Sequence, residues 1–418
     1  MPTLPRSLKA IARLESLQAS QVDVTERPAA LRHDPHVLRD IAEQQLIAEY
    51  IDSRAFSSKD DLTRSLVDLV ADPTHQAAVE ARTGALENHF LAEDGDLWSR
   101  YERPDRRKRL AWLVPIVEKA IADCGYAIAR RPTVGTLATR DINAQAIPGP
   151  SGEGHIVAFE TGLFNFTSTV AGIAAQVLNA QLADDGESLD VLPYPAIGAH
   201  IAGHPALLLE FIDLLFSQAV IGTCDYVAAY TVPEENANWA GRVKDAMDVF
   251  VLAHEYGHVA LGHVDLPGVR AGGDPGQSRA FEFAADRFSL EATTAACGVW
   301  TIVGATLLLT ALDLIERASA TLAAGVDAVE ESPTHPTAEQ RKAALRAIVQ
   351  DKYAALGEFA LPICDTLSDI FGRLWAYVRP AFEHAHATGI PPRGFTPLDP
   401  LQKNWALEQF AAPLFPHP

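Results

Sequence analysis

The sequence predicts a mainly α-helical, α+β fold with one small antiparallel sheet. Three observations predict it. Apolar residues recur at helical spacing through most of the chain, as in "VLRDIAEQQLIAEYI" and "LAWLVPIVEKAIADC". One stretch, "RRPTVGTLATRDINAQAIPGPSGEGHIVAFETGLFNF", breaks that spacing with short β-prone runs around a loop of Pro, Gly and Ser. Finally, 418 residues with 48% hydrophobic and 21% charged content describe a folded chain with a substantial core.

Taken in order, residues 1–35 are polar with scattered prolines and are expected as a flexible arm. Residues 36–130 read as an N-terminal helical region, in which "RRKR", Arg106 to Arg109, is expected as a solvated face. Residues 131–350 hold the core. It begins with a hairpin around "PGPSGEG" and continues with helical periodicity, including a long helical insertion at about 170–240. Loops are expected near 184–196, 231–240, 265–277 and 327–337. The uncharged run Ala292 to Leu312 has the length of a membrane span. It is rich in Ala, Thr and Gly, and Asp313 and Glu316 follow at once, so a single buried core helix is expected. Residues 351–418 supply a C-terminal helix and a proline-rich tail, with irregular structure expected from Pro391 to Pro418.

The formal net charge of −20 argues against nucleic acid or an anionic membrane as the main partner. The four cysteines (Cys124, Cys224, Cys297, Cys364) are scattered without CxxC spacing, which fits reduced thiols of a cytoplasmic protein. The N-terminus lacks a continuous apolar run of the secretory type. A soluble, cytoplasmic protein without a membrane span is expected.

Chemistry concentrates in "VLAHEYGHVALGHVD", residues 251–265, where two imidazoles and a carboxylate stand in an apolar run. Buried polar groups without partners are costly, and a metal ion would offset that cost. Residues four apart share a helix face, so His254 and His258 can bind one Zn2+ ion, with Glu255 beside it as a general base. A third ligand is needed. A histidine six residues beyond His258 is absent, since that position is Val264, and His263 is one residue short of it. "SRAFEFAADRFSLEA" instead offers Glu282 as ligand and Asp286, one turn on, to accept the other N–H of a ligating histidine, the ExxxD arrangement of gluzincins. A rival pair, His200 and His204 in "GAHIAGHPA", has the same spacing but no glutamate, and reads as ordinary loop or helix-end histidines. In "SPTHPTAEQRKAAL", Thr337 and Gln340 have the spacing of a helix-capping box.

Together these segments resemble the CAAX-prenyl-protease and heat-shock membrane protease family of gluzincins. "HEYGHVALGH" is similar to the family's extended HExxH helix, and "EFAADRF" to its third-ligand segment. "SPTHPTAEQR" is similar to its downstream motif, which places His335 and Arg341 six apart. "INAQAIPGPSGEGHIVAFETGLFNF" is similar to its edge strand, hairpin partner and helix start. The matches lie between residues 142 and 345, in the family's order. The resemblance implies a zincin-type helical metallopeptidase core. It also implies a catalytic role for His335 at the oxyanion and, for Arg341, either bracing of its loop or pairing with a carboxylate. The family is mostly membrane-embedded, so a prenylated-protein substrate is not implied.

The expectation is therefore a zinc endopeptidase acting on a protein or peptide substrate. His254, His258 and Glu282 would bind zinc, Glu255 would move protons, and Asn143, Ala144, Gln145 and Ala146 would offer an exposed strand for the substrate to extend. Ala144 and Ala146 share one face and Asn143 the other. Two alternatives fit the same motifs. One is a narrowly specific regulatory or host-defence protease cutting one cellular target. The other is a catalytically idle, zinc-stabilised binding protein, against which the intact Glu255 argues.

Overall fold

The computed structural model describes residues 8–21, 59–92, 102, 104–395 and 400–414, together with 39, 42, 43, 46, 47 and 50. Short gaps fall at 129, 138, 140, 151–153, 183–188, 225–226, 228–231, 267–274 and 333–334. The expected arm at 1–7 and 22–35, most of "VLRDIAEQQLIAEYI" and the tip of "PGPSGEG" lie outside the described residues. What is described is mainly helical with a small three-stranded sheet.

Helices α1 (Leu8–Gln21), α2 (Lys59–Ala71), α3 (Pro73–Ala92) and α4 (Pro104–Asp123) precede the sheet. Strands β2 (Ala144–Pro148) and β3 (His155–Glu160) form the expected hairpin, with Ala146 opposite Val157. The sheet is not wholly antiparallel, however. β1 (Thr133–Leu137) joins the far side of β3 in parallel, Thr133 opposite Ile156, giving the order β1-β3-β2. β3 is thereby central, which suits the run "IVAFE" buried on both faces. Val157 and Phe159 face the main core, whereas Ile156 and Ala158 face α1.

That second face of the sheet is covered by α1. Residues 8–21, expected as part of a flexible arm, are helical because Ala10, Leu14 and Leu17 form an apolar stripe that covers Leu137, Ile156 and Ala158. Gln18 Nε2 donates to the Thr136 carbonyl (2.7 Å) and fixes the docking. The Arg106–Arg109 segment is also not a solvated face. Arg107 is buried, Arg106 donates to Asn165 (2.9 Å), and Arg109 Nε donates to Asp248 (2.9 Å).

After the sheet come α5 (Thr161–Leu178), a two-residue ladder of β4 (Gln181–Leu182) and β5 (Leu189–Asp190), α6 (Tyr194–Gly203) and α7 (Pro205–Phe216). A π-helical turn, Ser217–Ile221, continues α7. The core follows as α8 (Glu234–Ala260), a short 3-10 turn (His263–Asp265), α9 (Pro275–Cys297), α10 (Val299–Ala324), α11 (Ala338–Lys352) and α12 (Ala354–Ala387). The run Ala292 to Leu312 is two helices, broken at Gly298, and not one. The proline-rich tail is not wholly irregular: α13 (Pro400–Ala411) and a 3-10 turn (Ala412–Leu414) bring Phe410 between Phe216 and Phe382. Among the described residues, α10 is long and apolar enough to cross a membrane, and 67% of its most apolar stretch is buried. Tyr194–Gly203 and Pro205–Ile221, bent by 86°, pass the same test as a pair.

Helices α8 and α9 run antiparallel. Ser289 bonds the Phe250 carbonyl, Asp286 meets His254, and Phe281 stacks on His263, so one number falls as the other rises. On the next helix, Gly304 lets α10 lie directly on α8. A Cβ there would sit 2.7 Å from Ala246 Cβ and 2.9 Å from the Met247 nitrogen. Backbone cannot yield as a side chain can, so Gly304→Ala is expected to destabilise the protein by about 1–3 kcal/mol. A lowered urea midpoint would show it, and an unchanged midpoint would disprove the close approach.

One buried carboxylate gives the fold a pH dependence. Glu210 on α7 is 3% exposed. Burial pushes its carboxyl up to about 7, opposed by a hydrogen bond from Gln176 Nε2 (3.1 Å) and reinforced by Asp213. The folded protein therefore holds this proton more tightly than the unfolded chain does. The stabilisation is complete below the ordinary value of 4.5 and is lost as pH rises through about 7. Glu210→Gln is expected to match wild type under acid conditions and to exceed it at pH ~8 by about 1–3 kcal/mol. Urea unfolding of both proteins at the two pH values checks this; a parallel pH dependence would reject it.

Candidate metal centre and cleft

His254, Glu255 and His258 lie on α8, and each neighbour in the motif has its own task. Tyr256 is buried on the opposite face and its hydroxyl donates to Glu118 on α4 (2.9 Å). Gly257 admits α9: a Cβ there would meet Phe288 at 3.0 Å and the Ala285 Cα at 3.3 Å. That approach carries Glu282 of α9 to the two imidazoles.

The three side chains converge. His254 Nε2 and His258 Nε2 are 3.1 Å apart, His254 Nε2 and Glu282 Oε2 3.5 Å, and His258 Nε2 and Glu282 Oε1 3.6 Å. Ligand atoms about 2.0–2.1 Å from a tetrahedral zinc would be separated by about 3.3 Å. The observed triangle has close to those edges. Among the described residues, it is the one group of three or more His, Cys, Asp or Glu able to hold a metal ion.

The outward-facing nitrogens are held as well. His254 Nδ1 lies 2.9 Å from Asp286 Oδ1, so it carries the proton and its Nε2 lone pair turns to the centre. Asp286 is itself gripped by Arg341, whose Nε donates to Oδ2 (2.8 Å) and Nη2 to Oδ1 (2.7 Å). Arg341 thus pairs with a carboxylate, the second of the two roles its motif implied. His258 Nδ1 lies 3.1 Å from His263 Nδ1. A donor on His258 again leaves Nε2 facing inward.

His263, set aside as a ligand on register grounds, is placed by a turn. Gly262 ends α8 in the left-handed region (φ 73°), and the 3-10 turn then folds His263 back over His258 and against Phe281 (4.1 Å, 18°). The same turn is tied to the sheet by His155 Nε2 and Asp265 (2.9 Å). Spacing alone shows no such contact, because five residues along a continuous helix would put the two rings on different faces.

The electrostatics call for positive charge at the centre. Burial opposes charge on His254, but hydrogen bonds with Asp286 and Glu282 outweigh it and raise the imidazole to about 10. Burial and then the neighbouring His254 lower His258 to about 3. Glu282, despite burial, is held at about 2 by its bond with His254. Asp286 is depressed too, Arg341 overcoming its burial. Glu255 moves the other way: burial, with Glu282 adding, pushes it up to about 7. Two imidazoles and a carboxylate converging in this way could hold a metal ion, and that donor set is of the kind zinc accepts.

These residues floor a cleft of about 510 Å³. Ala144, Gln145 and Ala146 of the outer strand β2 border it, with Asn143 just before the strand. Asn143 is anchored to Glu160: its carbonyl accepts from the Glu160 N–H (2.9 Å), and its Nδ2 reaches Oε1 (3.4 Å). In that register Ala144 and Ala146 turn their backbone groups away from β3, toward the cleft. The Ala146 N–H lies close enough to the Glu255 carboxylate to favour its charged form, a juxtaposition of strand and helix that residue spacing does not encode. His335 stands at the rim, 63% exposed, with Nε2 3.8 Å from Glu282 Oε1. Its loop leads into α11, where Thr337 and Gln340 form the expected capping box. His200 and His204 take no part: His200 Nε2 meets the Gln176 carbonyl (2.9 Å) and His204 Nδ1 the His200 carbonyl (2.8 Å). The chain matches no protein-family model, no curated protein and no solved structure.

Proposed function

We propose that the chain is a zinc-dependent endopeptidase with a zincin-type core, acting on peptide bonds of a protein substrate. The observation that carries this is the triangle of His254, His258 and Glu282 with Glu255 beside it, under an outward-facing strand. Two imidazoles and a carboxylate suit zinc better than the hard cations, which favour all-oxygen sites. Bound there, zinc supplies Lewis acidity, making water a nucleophile at neutral pH and polarising the scissile carbonyl.

The chain's own residues do the rest. Glu255 takes the proton of the attacking water and passes it to the departing amine. Its carboxylate lines the cleft beside the three converging side chains, and the nearby Ala146 N–H favours its charged form. Asp286 and His263 keep the two imidazoles in the tautomers that face the centre. The substrate lies along β2 as an added strand, pairing with the outward-facing backbone groups of Ala144 and the Ala146 carbonyl, while small side chains leave space. His335, at the rim beside Glu282, donates to the oxyanion as the carbonyl becomes tetrahedral.

The test is metal content together with hydrolysis. Purified protein is expected to hold one zinc per chain and to digest casein until a chelator is added. His258→Ala is expected to lose the metal. Full zinc occupancy in His258→Ala would reject the ligand assignment. Zinc-loaded protein that leaves casein and mixed peptides intact would reject the peptidase reading in favour of an idle metal-holding protein.

A further inference from the structure

His335 is 63% exposed, so burial does little to place its imidazole 3.8 Å from Glu282. The chain on either side has to do so. Downstream, the buried Pro336 restricts His335 to extended backbone, and the Ala338 N–H donates to Glu316 on α10 (3.2 Å). Upstream, the His335 N–H meets Ser332 Oγ (3.4 Å), and Glu331 before it is tied to the helix that carries Glu282. Arg279 of α9 donates from Nη1 to Glu331 Oε2 (2.5 Å) and from Nη2 to Gln340 Oε1 (2.9 Å). Gln340 Nε2 donates to Glu331 Oε1 (2.6 Å) and completes a ring of three side chains. Glu331 and Gln340 stand on either side of His335 in the chain, so the ring joins the two ends of its segment, and Arg279 is the member that comes from elsewhere.

An isolated exposed ion pair contributes little, because two long side chains are ordered for one contact. The ring differs from such a pair. Gln340 Oε1 is already held by the Thr337 N–H of the capping box (3.1 Å), and Arg279 presents one planar guanidinium to two acceptors. Arg279 precedes Glu282 by three residues, which sets both on one side of α9. It lies outside the cleft wall, so it reaches the reacting atoms only through what it positions.

We infer that Arg279 is a positioning residue: by tying both ends of the His335 segment to α9, it sets where His335 stands relative to Glu282. The inference rests on the peptidase reading and on the oxyanion role given there to His335.

The test is a double-mutant cycle on the zinc-loaded protein, with amide exchange as a second readout. Arg279→Ala is expected to lower kcat by about 10–100-fold, with KM within about 2-fold of wild type and zinc content unchanged. Glu331→Ala opens the ring from its other side and is expected to give the same split between kcat and KM. Arg279→Lys, one point charge facing two acceptors, is expected to recover part of the loss. With His335→Ala in place, Arg279→Ala is expected to lower kcat by less than about 2-fold further. Amide exchange over residues 335–341 is expected to quicken by about 5–10-fold in Arg279→Ala, while α9 beyond Glu282 exchanges at the wild-type rate. Losses that multiply in the double variant, a His335→Ala protein as active as wild type, or zinc lost from Arg279→Ala would overturn the inference and leave the peptidase reading standing. Unchanged exchange would overturn it alone. If the zinc-loaded wild type cleaves nothing, the peptidase reading falls and exchange decides: a loosened 335–341 upholds the hold of Arg279 on His335, and an unchanged one removes it.

Discussion

Replacing Glu255 by glutamine is expected to lower kcat by about 10²–10⁴-fold while zinc content and fold stay at wild-type level. The substitution preserves shape and keeps a carbonyl oxygen at the end of the side chain. It also leaves untouched the three atoms that face the centre. What it removes is the carboxylate proposed to accept a proton from water and return it to an amine. His335 does not substitute, since it stands at the rim beside Glu282. Single-turnover hydrolysis, elemental analysis and circular dichroism together check the prediction. A Glu255→Gln protein that cleaves at the wild-type rate would place the base elsewhere.

The second large effect is expected at Asp286. This carboxylate is 1% exposed and accepts from two donors at once, His254 Nδ1 and the Arg341 guanidinium. Asp286→Ala strands Arg341 near the core, and removing one partner of a buried pair typically costs about 3–5 kcal/mol. It also frees the His254 ring to rotate or change tautomer, which typically weakens metal affinity by about 10–100-fold. Urea unfolding in the presence of chelator isolates the first effect, and chelator competition reads the second. Asp286→Asn is expected to retain part of the packing but to show most of the affinity loss. Unchanged stability and affinity in Asp286→Ala would reduce the Arg341–Asp286–His254 chain to a coincidence of packing.

The legible parts of this structure are those in which local spacing is itself the geometry. His254 and His258 share a helix face by period alone, as do Glu282 and Asp286, and Thr337 with Gln340 caps its helix within one turn. The hairpin was readable because its turn residues lie between its strands. What escaped depends on residues far apart in the chain. The stripe of Ala10, Leu14 and Leu17 is visible in the sequence, but α1 forms by docking on a sheet more than a hundred residues away. The parallel partner of β3 is set by how the chain crosses from β1, which no hairpin signal encodes. Arg109 was read as solvated because its acids, Asp245 and Asp248, arrive on another helix. The same reasoning covers His263, whose place follows from a turn at Gly262, and Ala146, whose N–H meets Glu255 only when strand and helix pack.

The motif HExxH is usually written as three letters and two blanks. In this protein the blanks are occupied by a second message, addressed to the neighbouring helices and not to the metal. Tyr256 speaks to α4 through Glu118, and Gly257 gives α9 its seat against Phe288 and Ala285. The proposed zinc site, transplanted onto another scaffold by copying His254, Glu255 and His258 alone, would therefore lack Glu282, which arrives only where residue 257 yields. The five positions form one unit of inheritance: three specify the chemistry, and two specify who stands next to it.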